Sequence, residues 1–173
     1  MRTPWWMVLV AAAALAVGTM QAPAAARIWA PDHILDSPIA PARMLRAASI
    51  PRDDWLPGHR GIDLAASAGQ QVRSPGAGTV TFAGHVVDRP VITVTHDNGL
   101  ISSMEPVESS LAAGTPVATG DWIGVVSETV AHCGTAACVH WGVRDADGYV
   151  DPLDVLRGFG AVRLLPMSEA AIS

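Results

Sequence analysis

Two short segments carry the residue types that bind metals. The first is Gly58-His59-Arg60-Gly61-Ile62-Asp63-Leu64. Read as extended chain, positions 59, 61 and 63 share one face. His59 and Asp63 then point the same way, Gly61 leaves room between them, and Ile62 and Leu64 turn to the core. An imidazole and a carboxylate converging on one point suit Zn²⁺, although a His and an Asp at this spacing also form ordinary surface hydrogen bonds. The second segment is Ala137-Cys138-Val139-His140-Trp141-Gly142-Val143. Strand alternation places Cys138, His140 and Gly142 on one face and Val139, Trp141 and Val143 on a buried one. By itself, His140 reads more simply as a satisfied core histidine. Together the segments offer two His and one Asp, and catalytic zinc sites use three protein ligands with the fourth position left to water.

Positioning these residues falls to strands. Gly76-Ala77-Gly78 precedes a strand expected over Thr79–Ala83, and Val91–Thr95 is another. Asp97-Asn98-Gly99 is a turn signal before Leu100–Met104. Turns at Gly114-Thr115-Pro116 and Thr119-Gly120-Asp121 lead to Trp122–Val126, and Val139–Arg144 is the last clear strand. Strand candidates every ten residues or so, with turns between, predict an all-β domain with an antiparallel sheet core. Asp151-Pro152-Leu153-Asp154-Val155-Leu156 predicts one short C-terminal helix, with Asp151 as its cap and Pro152 in its first turn. Ala161–Leu165 suits a closing strand. Trp55 and Trp122 suit core or rim packing, and His96 a structural place beside the cleft.

The first 26 positions read as a secretory signal: Arg2, an apolar run over Met7–Met20, then Pro23-Ala24-Ala25-Ala26 as a small-residue cleavage site. The run is shorter than the roughly 20 residues that span a bilayer, so membrane contact is expected only through this segment if it stays uncleaved. Residues 27–50 form a Pro/Ala-rich lead-in, largely extended, with a helical turn at Met44–Ala48. Residues 51–166 form the domain and 167–173 a tail. All 11 basic residues are arginine, scattered, and the net charge is -5. No clustered basic face marks a nucleic-acid partner. Cys133 and Cys138 are the two cysteines. In an exported chain they suit a disulfide, for which loop entropy gives roughly 2 kcal/mol. Free thiols, or a structural metal site with His132 and His140, are the alternatives.

Beyond these readings, the chain resembles the lysostaphin-type, or LytM-like, zinc endopeptidases. The Gly58–Leu64 segment is similar to their His-x-x-x-Asp motif. Cys138-Val139-His140-Trp141-Gly142-Val143 occupies the place of their His-x-His motif. Between them, Ser74–Val80, Val94–Leu100 and Gly114–Gly124 resemble the family's strand entry, central hairpin and glycine-bearing segment in order. The resemblance covers about residues 55–155. It implies a LytM-like fold and one zinc ion held by His59, Asp63 and His140. It also implies a water on the fourth position made acidic by the metal, and substrates drawn from the peptide cross-links of bacterial peptidoglycan.

Two positions depart from the family's pattern. The first His of His-x-His, which assists catalysis there, is Cys138 here. A second family histidine follows the central hairpin, and its equivalent is Pro106. General acid-base help contributes roughly 10²- to 10⁴-fold, so a proton carrier must come from elsewhere. His132, on the Cys133–Cys138 loop, and Glu105 are the candidates. The leading reading is an extracytoplasmic zinc endopeptidase acting on the cell wall. The alternative is a degenerate member that binds wall peptides or regulates another wall hydrolase. Glycine-rich paired hairpins also occur in lipoyl and biotinyl carriers, but those need an acceptor lysine and this chain has none.

Overall fold

The computed structural model describes residues 34–53, 55–128, 133 and 137–157. The leader, His132, the Ala161–Leu165 segment and the tail lie outside the described residues. Eleven strands and one short helix are present among the described residues, in the order β1 (Met44–Arg46), β2 (Ile62–Ala65), β3 (Gln71–Arg73), β4 (Gly78–Val86), β5 (Arg89–His96), β6 (Ile101–Glu105), β7 (Val107–Glu108), β8 (Pro116–Val117), β9 (Trp122–Val126), β10 (Cys138–Asp145), β11 (Gly148–Val150) and α1 (Pro152–Val155). An antiparallel sheet runs β1-β2-β10-β6-β5-β4-β8, with β11 also paired to β10, and a smaller sheet runs β3-β9-β7. The fold is the antiparallel all-β architecture expected, with one short C-terminal helix.

Sequence alternation divides the large sheet into two faces. Ile62, Leu64, Val80, Ile92, Val94, Met104, Val139, Trp141 and Val143 join one buried cluster with Val72, Val107, Ile123 and Val126 of the small sheet. Trp141 is fully buried, and removing such a side chain from a core costs about 3–5 kcal/mol. The opposite face carries Asp63, Ser103, Glu105, His140 and Gly142. Trp55 and Trp122, by contrast, are exposed rather than in the core.

The lead-in packs on the domain. Leu35 and Ile39 are fully buried in the same cluster. The Leu35 N–H donates to the Val155 carbonyl at 2.7 Å and the Arg157 N–H to the Leu35 carbonyl at 2.7 Å, tying the lead-in to the end of α1. Where a helical turn was expected at 44–48, the chain forms β1 instead, because Met44 and Arg46 pair with Leu64 and Asp63 of β2. Helix propensity in so short a segment is outweighed by a neighbouring strand that offers ladder partners. As expected, α1 is capped by the Asp151 carboxylate, which accepts from the Leu153 N–H at 2.9 Å.

Val86 pairs with Arg89, so β4 and β5 are joined by a two-residue turn of Val87 and Asp88. Val87 has φ 60° and is 95 % exposed. A β-branched side chain in this region is strained, and hairpins usually place Gly there. Val87→Gly is therefore expected to raise stability by about 1 kcal/mol, measured by urea unfolding. An unchanged or lower midpoint would contradict the strain argument.

Candidate metal centre and the cleft beside it

His59, Asp63 and His140 reach one point from three places in the chain. Asp63 stands directly opposite His140 in the β2–β10 ladder. His59 lies three residues before β2, not within the same strand, and is held by a bridge to Ser49. The alternation argument put His59 and Asp63 on one face of a single strand; in the structure the two do meet, but because the lead-in folds back and holds His59 outside β2.

His59 Nδ1–H donates to the Ala47 carbonyl at 2.7 Å. That bond fixes the tautomer and leaves a lone pair on Nε2. The lone pair faces Asp63 Oδ1 at 3.0 Å and His140 Nδ1 at 3.1 Å, and the last two atoms are 2.9 Å apart. Ligands about 2.0–2.1 Å from a tetrahedral zinc lie about 3.3 Å from one another, so this triangle matches three corners of such a site. An imidazole lone pair and a carboxylate oxygen this close repel unless a cation or proton sits between them. The donor set therefore fits zinc. His59 and Asp63 are buried, and His140 is partly open.

Two glycines make room. A Cβ at Gly61 would press into the Trp141 carbonyl oxygen and lie 2.8 Å from His140 Nε2. A Cβ at Gly142 would lie 2.9 Å from the Arg60 carbonyl oxygen. Beside His140 the surface opens into a pocket of about 130 Å³ lined by Arg60, Ser103, Glu105, His140, Gly142 and Tyr149.

Glu105 stands opposite His140 in the β6–β10 ladder, so both side chains share the site face. It is a strand residue, not a solvated turn residue. Its Oε1 accepts from Arg89 Nη1 at 2.7 Å, and its side chain is 19 % exposed. Sequence reasoning did not single out Arg89, Ala47 or Tyr149. Their relation to the site comes from strand pairing between distant segments, for which no local motif exists. Cys138 is buried and bonded to Cys133, as expected. Pro106 follows a cis peptide bond after Glu105. Neither position supplies an imidazole.

His96 is buried in the core. Trp141 Nε1–H donates to Ser102 Oγ at 3.1 Å, the Ser102 hydroxyl donates to His96 Nε2 at 2.8 Å, and His96 Nδ1–H donates to the Gly76 carbonyl at 3.2 Å. Each ring nitrogen of the neutral imidazole is thus used. Burial pushes the His96 pKa below its ordinary value, opposed by backbone hydrogen bonds from the Gly76 and Ala77 side and by the Asp97 charge. The unfolded chain therefore binds a proton that the folded chain resists. Stability from this group is full above the unfolded histidine pKa near 6.5 and falls as pH drops toward the lowered folded value. Thermal unfolding in chelator at pH 7.5 and pH 5 is expected to show a larger acid loss for the native chain than for His96→Gln. Equal losses would remove His96 as the cause.

Residues 57–152 match the profile of Peptidase family M23. The chain belongs to Peptidase family M23. A protein of Mycobacterium tuberculosis, itself described as uncharacterised, is 40 % identical over 149 residues, covering 81 % of this chain and 59 % of that protein. The chain thus spans a little over half of that relative's length. Among solved structures, a zinc-containing peptidase from Vibrio cholerae aligns with TM-score 0.56 at 18 % identity, covering 69 % of this chain and 38 % of that one. Lysostaphin aligns with TM-score 0.56 at 17 % identity, covering 74 % and 58 %. At these identities the two structures establish a shared fold. Both motifs, His59/Asp63 and His140, fall inside the stretch that matches the M23 profile.

Proposed function

We propose that this M23 member is an extracytoplasmic zinc endopeptidase acting on peptide cross-links of bacterial peptidoglycan. The observation that carries the reading is the triangle of His59 Nε2, Asp63 Oδ1 and His140 Nδ1, with edges of 2.9–3.1 Å, beside an open pocket. When bound there, zinc would polarise a scissile carbonyl and make hydroxide available near neutral pH. The chain's own residues do the rest. Ala47 holds His59 in its ligating tautomer, and Gly61 leaves room for the His140 ring. Glu105, across the ladder from His140 and on the pocket wall, is the proposed proton acceptor, with Arg89 fixing its orientation. His132, the other candidate, lies outside the described residues.

A second reading has its own observation. The family's first catalytic His is replaced by a disulfide-bonded Cys138, which favours a member that binds wall peptides or regulates another wall hydrolase. Digestion of purified peptidoglycan separates the two. The peptidase reading expects soluble fragments with new peptide termini, lost on adding chelator and restored by zinc. Zinc-loaded chain that releases nothing would leave the regulatory reading.

A further inference from the structure

The large sheet ends on β1 at one side and, past the two-residue β8, on β4 at the other. The two edges are built differently. β1 is three residues long and carries Arg46, with Arg43 just before it. Shortness and charge are means by which proteins keep an edge from pairing further. β4 is nine residues long, and β8 pairs only with its Gly78 and Thr79, while Val80 bonds to Gly114 and Thr115. Beyond that point no strand among the described residues lies on the outer side of Phe82–Val86. Phe82-Ala83-Gly84-His85-Val86 holds no charged residue and no Pro. The register shift between Val80 and Phe82 comes before this run, which pairs regularly with β5. Its outward backbone groups follow from that pairing. Val86 faces Arg89 across the two-residue turn, and His85 faces Pro90, which has no N–H. The pair closing such a turn is hydrogen-bonded, and bonded pairs then alternate along the ladder. Phe82, Gly84 and Val86 therefore bond to β5, while Ala83 and His85 turn their N–H and carbonyl groups outward. Phe82 faces Thr93, which faces Ser103, so Phe82 shares the sheet face of the candidate metal centre. It is 40 % exposed. Beside it Gly84 leaves a gap, where the atoms nearest an added Cβ all belong to the Phe82 ring, from 3.4 Å.

We infer that the Phe82–Val86 edge pairs antiparallel with the same edge of a second copy of this chain, joining two large sheets into one. A two-fold axis at Ala83 sets that residue against Ala83 of the second copy, with N–H and carbonyl groups exchanged both ways. The same register sets Phe82 against Gly84 of the second copy. The ring then covers a glycine across the ladder, an arrangement that strengthens edges containing glycine. A second copy is the occupant because the segment complements itself in this register and brings no charge of its own to repel its twin. The axis stands normal to the sheet, so both candidate metal centres lie on one side of the joined sheet. The contact is small, since five residues a side fall well below the roughly 20–30 of a standard interface. The dimer therefore belongs to the weak class that forms as concentration rises. The inference needs neither zinc nor cleavage.

The test is sedimentation equilibrium of the full chain from about 1 to 500 μM, a span that brackets micromolar self-association. The native chain is expected to pass from monomer to dimer within it, with zinc and with chelator alike. His85→Pro removes an outward N–H and leaves the bonds to β5 intact. Phe82→Lys sets two like charges close to the axis. Each variant is expected to weaken the dimer by about tenfold or more, and melting curves establish that it is folded. Hydrogen exchange on the native chain gives a local readout that needs no variant. The Ala83 and His85 amides are expected to gain protection as concentration rises, while those of Phe82 and Gly84 stay protected throughout. A monomer at every concentration overturns the inference, as does a dimer that folded variants leave unchanged. Protection of Ala83 and His85 that ignores dilution also overturns it, because another segment of the same chain would then cover the edge.

Discussion

Asp63→Ala is expected to bring zinc from about one ion per chain to almost none and to abolish peptidoglycan cleavage. Asp63 Oδ1 is the corner that touches both histidines, at 3.0 Å from His59 Nε2 and 2.9 Å from His140 Nδ1. Without it two imidazoles remain, and they carry no charge to balance a dication. Losing even an outer partner of a metal ligand weakens affinity by about 10- to 100-fold, so losing the charged ligand should exceed that. The consequence extends to stability. Zinc at about a thousand times its dissociation constant adds about 4 kcal/mol to a fold that binds it. The native chain should therefore melt higher with zinc than with chelator, and Asp63→Ala should melt at the same temperature in both. Metal analysis and paired melting curves check this. Equal zinc content in the two proteins would sink the metal assignment, whatever the activity.

Glu105→Gln is expected to slow cleavage by about 10²- to 10⁴-fold, the range general acid-base help provides, while zinc content stays unchanged. The amide keeps the size of the side chain and can still accept from Arg89, so a structural role would be largely preserved. What it loses is the ability to take a proton beside His140. Steady-state rates on purified cross-linked peptide, with metal analysis of the same samples, separate this outcome from Asp63→Ala. A Gln variant as active as the native chain would return the proton-transfer role to another residue.

Much of the site was legible because two local patterns each fixed a geometry. Ile62 and Leu64 had to be buried, so Asp63 had to face away from the core; Val139, Trp141 and Val143 did the same for His140. Period-two alternation is a property of the backbone and needs no knowledge of the partner strand. The turn at Asp97-Asn98-Gly99 was legible for a similar reason: Gly99 takes φ +84°, and Asn98 Oδ1 accepts from the Leu100 N–H at 3.2 Å, both dictated by residue type.

The lead-in was harder to read. Its Pro and Ala content suggested only a largely extended lead-in, yet Ala47 orients His59 and Leu35 and Ile39 fill the core. A backbone carbonyl has no sequence signature, and three-residue strands such as β1 exist only because a neighbour is there to pair. The Arg89–Glu105 contact is similar, since it joins adjacent strands through their register.

The candidate metal ligands His59, Asp63 and His140 were legible in the sequence, and strand alternation gave the facing of Asp63 and His140. Only the tertiary structure decided that they meet within about 3 Å and that Glu105 stands opposite His140 in the ladder. The physical reason is that facing direction is a local property of each strand. Which strand lies opposite, and in what register, is set by burial of the whole core at once.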